Sequence, residues 1–328
     1  MTSLNLELTG EQREFRDAVR GFAEGVVAPV AEEYDRTGTF PLEVVRQMGE
    51  LGLFGLPFPE RYGGLDGDFA TFCLCVEELA CVDRSVATTL LAAVCLGANA
   101  IFRLGTEEQR ERWLVPMCRG RLFGSLALAE PGGGPSAQAV RTTVRLEDDE
   151  WVIDGVKASV ANSGTPLSEV CLVVARTDGG GILVILVPRG SPGFSVGPAQ
   201  PMVGRRASDV HDLAFDGCRV SEGNLLGERG SGDRELLETL DDERIAIVAR
   251  SVGLARACLG ERSSGVADER VGGIEAVIEA ARSAYLEAAR LRDRGRRYEA
   301  EVAVAELRAT EIRCLFGADD LAFPGAEP

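Results

Sequence analysis

The hydrophobic period of this chain changes twice, and that pattern excludes any fold built from one kind of element. Over residues 1–120 apolar residues recur at helical spacing: Phe15, Val19, Phe22 and Val26 form one stripe behind a Thr9–Gln12 capping box. Pro29 is expected to end that stripe, and Pro41 to open a helix carrying Val45 and Met48. Leu53 to Asp68 reads as a loop. Helices resume with Phe72, Val76 and Leu79, run on from Val86, and restart at a second capping box, Thr106–Gln109. Over residues 121–230 the period falls to two. Asp154-Gly155 predicts a two-residue hairpin turn, and Glu169–Arg176, Ile182–Pro188 and Val210–Phe215 predict short strands. Tight turns rather than helices join them, which favours an antiparallel β-barrel or sandwich over a parallel dinucleotide-binding sheet. Residues 231–328 return to helices, with Leu236, Leu240, Ile247, Val248, Val252 and Ala255 on one face. The expected class is α+β: an N-terminal helical domain, a central β domain and a C-terminal helical domain.

Composition narrows the function. The chain carries 52 acidic against 35 basic residues, a net charge of −17, so nucleic acid and anionic membrane surfaces are poor partners. One histidine, His211, cannot build a histidine metal site, and no metal is expected. His211 reads as a solvent-facing or rim residue. Nine cysteines without a Cys-x-x-Cys pair read as free, mostly buried thiols in a reducing cytoplasm. The apolar run Ser85 to Phe102 reads as a buried helix rather than a membrane span. Gly179-Gly180-Gly181 opens no helix and is assigned a turn.

Arg244 breaks the apolar face of the third block, and Asp241 lies one turn before it. The pair is either a buried intrahelical ion pair or a group facing substrate or cofactor.

Several motifs in order resemble the acyl-CoA dehydrogenase family. They include Leu8-Thr9-Gly-Glu-Gln12, Glu60-Arg-Tyr-Gly-Gly64, Glu77-Glu-Leu-Ala80, Ala129-Glu-Pro-Gly132, Asp154-Gly-Val-Lys157 with Asn162, Asn224-Leu-Leu-Gly227 and Asp241-Asp-Glu-Arg244. The resemblance implies three domains around a cleft in which a glutamate removes the α-proton of an acyl thioester while FAD accepts the β-hydride. It implies flavin contacts at Leu128, Ala129, Glu130, Ser159, Val160 and Ala161, and substrate contacts at Ser136, Asp241 and Arg244. Ala129 stands where the family usually has threonine, and Ser159-Val160-Ala161 where it has Trp-Ile-Thr or Trp-Ile-Ser. The family's Arg-Lys-x-Phe-Gly segment corresponds to the polar stretch Glu261–Gly273, and its late glutamate base and last helix have no counterpart.

These departures lead to a set of expectations: a shortened C-terminal domain, a degraded FAD site, and no cofactor, with FAD at most weakly held or completed by a partner. The expected function is a flavin-independent biosynthetic enzyme that cyclises or eliminates an acyl thioester or polyketide-like substrate, with Arg244 and Asp241 catalytic. The alternatives are a non-catalytic subunit beside a full-length relative, and an FAD-dependent dehydrogenase completed by a partner. A monomer or dimer is expected in place of the family tetramer.

Overall fold

In the computed structural model, which describes residues 7–133, 139–229, 232–263 and 269–320, helix starts where the first capping box places it. The Thr9 hydroxyl accepts from the Gln12 N–H and the Gln12 side chain accepts from the Thr9 N–H, both at 3.1 Å. Helix α1 (Gly10–Phe22) does not stop at Pro29. It widens into a π-helical turn, Ala23–Val27, and continues as α2 (Ala28–Thr37), where the proline occupies the first turn and no interior hydrogen bond is broken. Helix α3 covers Leu42–Glu50.

Helix α4 (Phe69–Ala80) is buried along all 12 of its residues and forms the centre of the N-terminal domain. Beside it run α5 (Arg84–Leu91), a π-helical stretch Ala92–Ala98 and α6 (Asn99–Leu104). This 21-residue run is apolar and long enough to cross a membrane, but 89% of its most apolar window is buried in the fold, as the sequence implied. At its middle Gly97 meets the backbone of Gly124, where a Cβ would fall 2.3 Å from the Gly124 carbonyl oxygen. Only glycine lets this helix approach the sheet so closely. Two short helices, α7 (Glu107–Gln109) and α8 (Val115–Cys118), close the domain.

The middle domain is one eight-stranded sheet: β1 (Phe123–Ala127), β2 (Thr143–Glu147), β3 (Glu150–Ala161), β4 (Ser168–Arg176), β5 (Ile182–Pro188), β6 (Phe194–Ala199), β7 (Val210–Ser221) and β8 (Leu225–Leu226). Its order is β6-β7-β3-β2-β4-β5-β8, with β1 on β4. The expected antiparallel pairing holds for most neighbours, but β1–β4 and the single β2–β4 contact are parallel, so the sheet is mixed. Period two sorts its faces. Val170, Leu172 and Val174 pack into the core shared with the helices, while Cys171, Val173 and Ala175 fill the sheet's own core. The predicted turn at Asp154-Gly155 does not form. Both residues lie inside β3, and the turn falls at Asp148-Asp149, whose φ values of 48° and 63° suit a two-residue hairpin. Gly155 is needed for another reason: a Cβ there would sit 2.5 Å from the Thr142 hydroxyl.

The third domain is α9 (Gly232–Ser263), α10 (Glu269–Asp293) and α11 (Glu299–Asp320). Helix α9 packs on α4, and the contact is held by buried charge. Glu77, with no solvent exposure, takes ion pairs from Arg256 of α9 and from Arg282 of α10 at 3.3 Å, and a hydrogen bond from the Tyr285 hydroxyl. Glu78 takes Arg20 of α1 at 2.9 Å and Arg256 at 3.0 Å. Nearby, a Cβ on Gly253 of α9 would lie 2.1 Å from the Glu77 carbonyl oxygen, whereas Gly260 has nothing within 4 Å. Gly253→Ala is therefore expected to lower stability by about 1–3 kcal/mol through overpacking. Gly260→Ala should be neutral or stabilising by up to about 1 kcal/mol. Urea unfolding of the two variants tests this, and equal midpoints would refute the close approach.

Candidate functional site

The two segments assigned to flavin lie side by side although about thirty residues separate them. The chain leaving β1 through Leu128, Ala129 and Glu130 runs beside the end of β3, and the Ala158 N–H donates to the Ala129 carbonyl at 2.8 Å. Beneath them Lys157, fully buried, donates to the Leu128 carbonyl at 3.1 Å and to Glu130 at 2.8 Å. Glu130 also accepts the Arg141 and Thr142 N–H groups and the Thr142 hydroxyl at 2.7–2.9 Å. Burial works to raise the Glu130 carboxyl, but Lys157 and these donors outweigh it and hold the group down at about 2. The result is a neutralised base under a ledge of backbone and small side chains.

At the ledge's outer edge Ser159 adopts φ 55° and donates its N–H to Asp212 at 2.9 Å and its hydroxyl to Gln200 at 3.0 Å. Val160 is buried, Ala161 is half-buried, and Asn162 ties the strand end to α5 through the Thr89 carbonyl at 3.0 Å. Ser136 lies outside the described residues. His211 is more enclosed than a rim residue: its ring nitrogens contact the Gly197 carbonyl at 2.8 Å and Asp209 at 3.0 Å, and it packs on Gly164.

The run Asp241–Arg244 on α9 sends successive side chains in different directions, because each residue turns about 100° from the last. Arg244 pairs with Asp241 at 2.6 Å and with both oxygens of Glu306 on α11. It therefore bridges two helices and does not stop at the intrahelical pair. Asp242, with no exposure, collects Asn99 at 2.9 Å, Arg292 at 3.2 Å, Arg103 at 3.7 Å and the Tyr298 hydroxyl at 2.7 Å.

Glu243 does neither. The residue is half-buried, and no described residue hydrogen-bonds or ion-pairs with its carboxyl. It lies close enough to the π-helical stretch for its charge to reach Cys95. Surrounding protein pushes its carboxyl up to about 7, with Arg250 drawing it back part of the way. The residue lies where α9 packs against the π-helical continuation of α5. Sequence reasoning passed over Glu243 because its neighbour Arg244 drew the attention. The available signal was its spacing of four and seven residues from Ile247 and Arg250.

Comparison with known proteins agrees with this three-domain architecture. The models for the acyl-CoA dehydrogenase N-terminal, middle and C-terminal domains match residues 9–121, 125–218 and 230–326. The chain belongs to the acyl-CoA dehydrogenase family. It is 37% identical to a probable acyl-CoA dehydrogenase of Bacillus subtilis, across 94% of this chain and 86% of that protein. It is 34% identical, with the same coverage, to a short-chain specific acyl-CoA dehydrogenase of Clostridium acetobutylicum. The solved butyryl-CoA dehydrogenase of Megasphaera elsdenii superposes with a TM-score of 0.88 at 32% identity, covering 98% of this chain and 92% of that one.

These findings correct several expectations. Similarity of this extent to dehydrogenases, through all three domains, overturns the flavin-independent cyclising or eliminating enzyme and the non-catalytic pseudoenzyme. It also overturns the degraded flavin site and the expectation of no cofactor, because the relatives are acyl-CoA dehydrogenases of a flavoprotein family. The physical reason is local. Ala129, Ser159 and Ala161 change side chains, whereas the ledge is built from backbone that stays adjacent and in register. A shortened third domain is not confirmed, since the C-terminal family model matches through residue 326. The ledge fits a flat ring system: its side chains at 129 and 161 are small, and its floor is neutralised by the Lys157–Glu130 pair.

The ion pair beneath the ledge is testable. An unfolded carboxyl of ordinary value 4.5 takes up a proton between pH 4.5 and 2 that folded Glu130 does not, so its stabilisation is present above 4.5 and lost as the pH falls through that window. Lys157→Met leaves the carboxylate buried without its cation and is expected to cost about 3–5 kcal/mol at pH 7. That cost should shrink toward pH 4, where the lone carboxyl takes up a proton. Urea unfolding at both pH values checks this, and a cost independent of pH would contradict it.

Proposed function

We propose that this chain is an FAD-dependent acyl thioester dehydrogenase acting on short acyl-CoA substrates, with Glu243 as the general base. The observation that carries the reading is the Glu243 carboxyl, set where α9 packs on the π-helical stretch, without a hydrogen-bond or ion-pair partner among the described residues and raised by burial to about 7. A base with that affinity is deprotonated for half the molecules at neutral pH and still takes a proton readily. Relatives described as short-chain specific support the substrate size.

FAD, when bound, accepts hydride from the β-carbon. The backbone of Leu128 to Glu130 and of Ser159 to Ala161 would hold its ring system, and Lys157 with Glu130 keeps their ledge rigid and uncharged. The remaining work falls to side chains of α9. Glu243 takes the α-proton. Arg244, held by Asp241 and Glu306, keeps the turn that carries Glu243 from rotating, and its positive charge favours negative charge developing on the substrate.

Glu243→Gln is expected to lower kcat for butyryl-CoA oxidation by about 10²–10⁴-fold, with thioester binding by calorimetry retained. In the unmodified protein kcat/KM should climb through pH 7 to a plateau, because the base acts deprotonated. Unchanged turnover in the variant would remove Glu243 from the reaction. Purified protein that shows no flavin absorbance and takes up none on titration would overturn the dehydrogenase reading itself.

A further inference from the structure

A basic hollow of about 590 Å³ opens where the end of α3 meets the turn that follows α8. None of its lining residues belongs to the ledge or to α9. Glycine makes the contact between the two segments possible. A Cβ on Gly49 would fall 3.0 Å from the Arg119 carbonyl oxygen, and one on Gly120, whose φ is 63°, would fall 2.9 Å from the Gly49 Cα. Backbone therefore touches backbone, and the longer side chains beside it, Arg46, Arg119 and Arg121, are left around the hollow.

Three guanidiniums thus line one recess in a chain whose net charge is −17. All three arginines are exposed. Neither Arg119 nor Arg121 makes a side-chain ion pair or hydrogen bond among the described residues. Arg119 lies instead against the loop at Gly63, where a Cβ would sit 3.1 Å from its Nε. Arg46 has only Glu43, exposed and 3.7 Å away, a contact that contributes little in water. Glu50 lines the same recess one turn beyond Arg46, yet its carboxylate pairs with none of the three. The recess is left with three cations to one anion, and with an acceptor that stands apart from the cations.

We propose that this hollow binds a nucleoside diphosphate, with its phosphates on Arg46, Arg119 and Arg121 and an amino group of its base donating to Glu50. Like charges held together create a local positive potential that draws in an anion. Guanidinium forks match phosphate oxygens two at a time, which favours phosphate over a single carboxylate. The volume falls within the range of about 300–1,000 Å³ usual for small-molecule sites, so the recess has room for a base and sugar as well as the phosphates. Glu50 would repel a ligand that is anionic throughout, and it suits one that carries N–H donors at one end.

ADP is the probe, with inorganic pyrophosphate and adenosine as its two halves. Because ADP is also a fragment of FAD and of coenzyme A, binding is measured by calorimetry on protein already saturated with both. One equivalent of ADP should bind with a Kd below about 1 mM, pyrophosphate more weakly, and adenosine not detectably. Arg119→Ser combined with Arg121→Ser should weaken ADP by about tenfold or more. Glu50→Ala should weaken ADP severalfold without weakening pyrophosphate. These side chains are exposed, so the variants should keep the wild-type urea midpoint. No ADP bound by the saturated protein, or equal affinity in the double arginine variant, overturns the site. Pyrophosphate bound as tightly as ADP, with Glu50→Ala without effect, overturns the nucleotide as its ligand. Turnover of butyryl-CoA plays no part in these readouts, so the nucleotide site and the dehydrogenase reading stand or fall separately.

Discussion

A carboxylate removed from water must be met by cations, and in this molecule that requirement at Glu77 decides how the domains sit. Its partners come from α9 and α10, and adjacent Glu78 adds Arg20 from α1. Three helices distant in sequence are thereby drawn to two neighbouring residues of α4. Burial raises the Glu77 carboxyl, so the group is tolerated as an anion only while Arg282, Arg256 and Tyr285 all stay in place. Loss of any one leaves charge without compensation. The glycine at 253 makes the arrangement close enough to work.

With α9 fixed there, the cleft follows. Gly97 lets the long helix of the N-terminal domain lie against Gly124 of β1, and Asn162 reaches from β3 to the same helix. None of these elements carries the site alone. The functional groups on α9 are directed by helical geometry, and the ledge that receives a ring system is backbone from two strand ends.

Local signals in the sequence were the readable ones. Both capping boxes form as their spacing implied, because a cap is settled within four residues. β4 and β5 were readable as strands, but their runs are apolar almost throughout and buried on both faces, so the face that meets the helices was not legible. Asp154-Gly155 misled because the dipeptide fits a turn but its glycine is required by Thr142, a residue in another segment. Pro29 misled because a widened turn ahead of it gave the helix a fresh start. Arg244 was visible as a charge on an apolar face, yet its partner Glu306 comes from a helix sixty residues away. Glu243 was invisible for the same reason: α9 is surrounded on several sides, so a single apolar stripe does not describe it. The side-chain departures at Ala129 and Ser159 were read as loss, since sequence shows side chains and hides the backbone that remains.

The charged run Asp241-Asp242-Glu243-Arg244 has a consequence for how this protein can change. Its members serve three destinations: Arg244, with Asp241, is tied to α11, Asp242 to the α6–α10 junction, and Glu243 lies toward the π-helical stretch. Substituting one member disturbs one destination. Inserting or deleting a single residue between this run and Gly253 would rotate all of them by about 100° relative to the α4 contact, so that a structural anion would take the place of the base and the buried junction would receive the base. The helix therefore behaves as a ratchet whose teeth are charges. Its composition is open to drift, but its length between Gly253 and this run is locked.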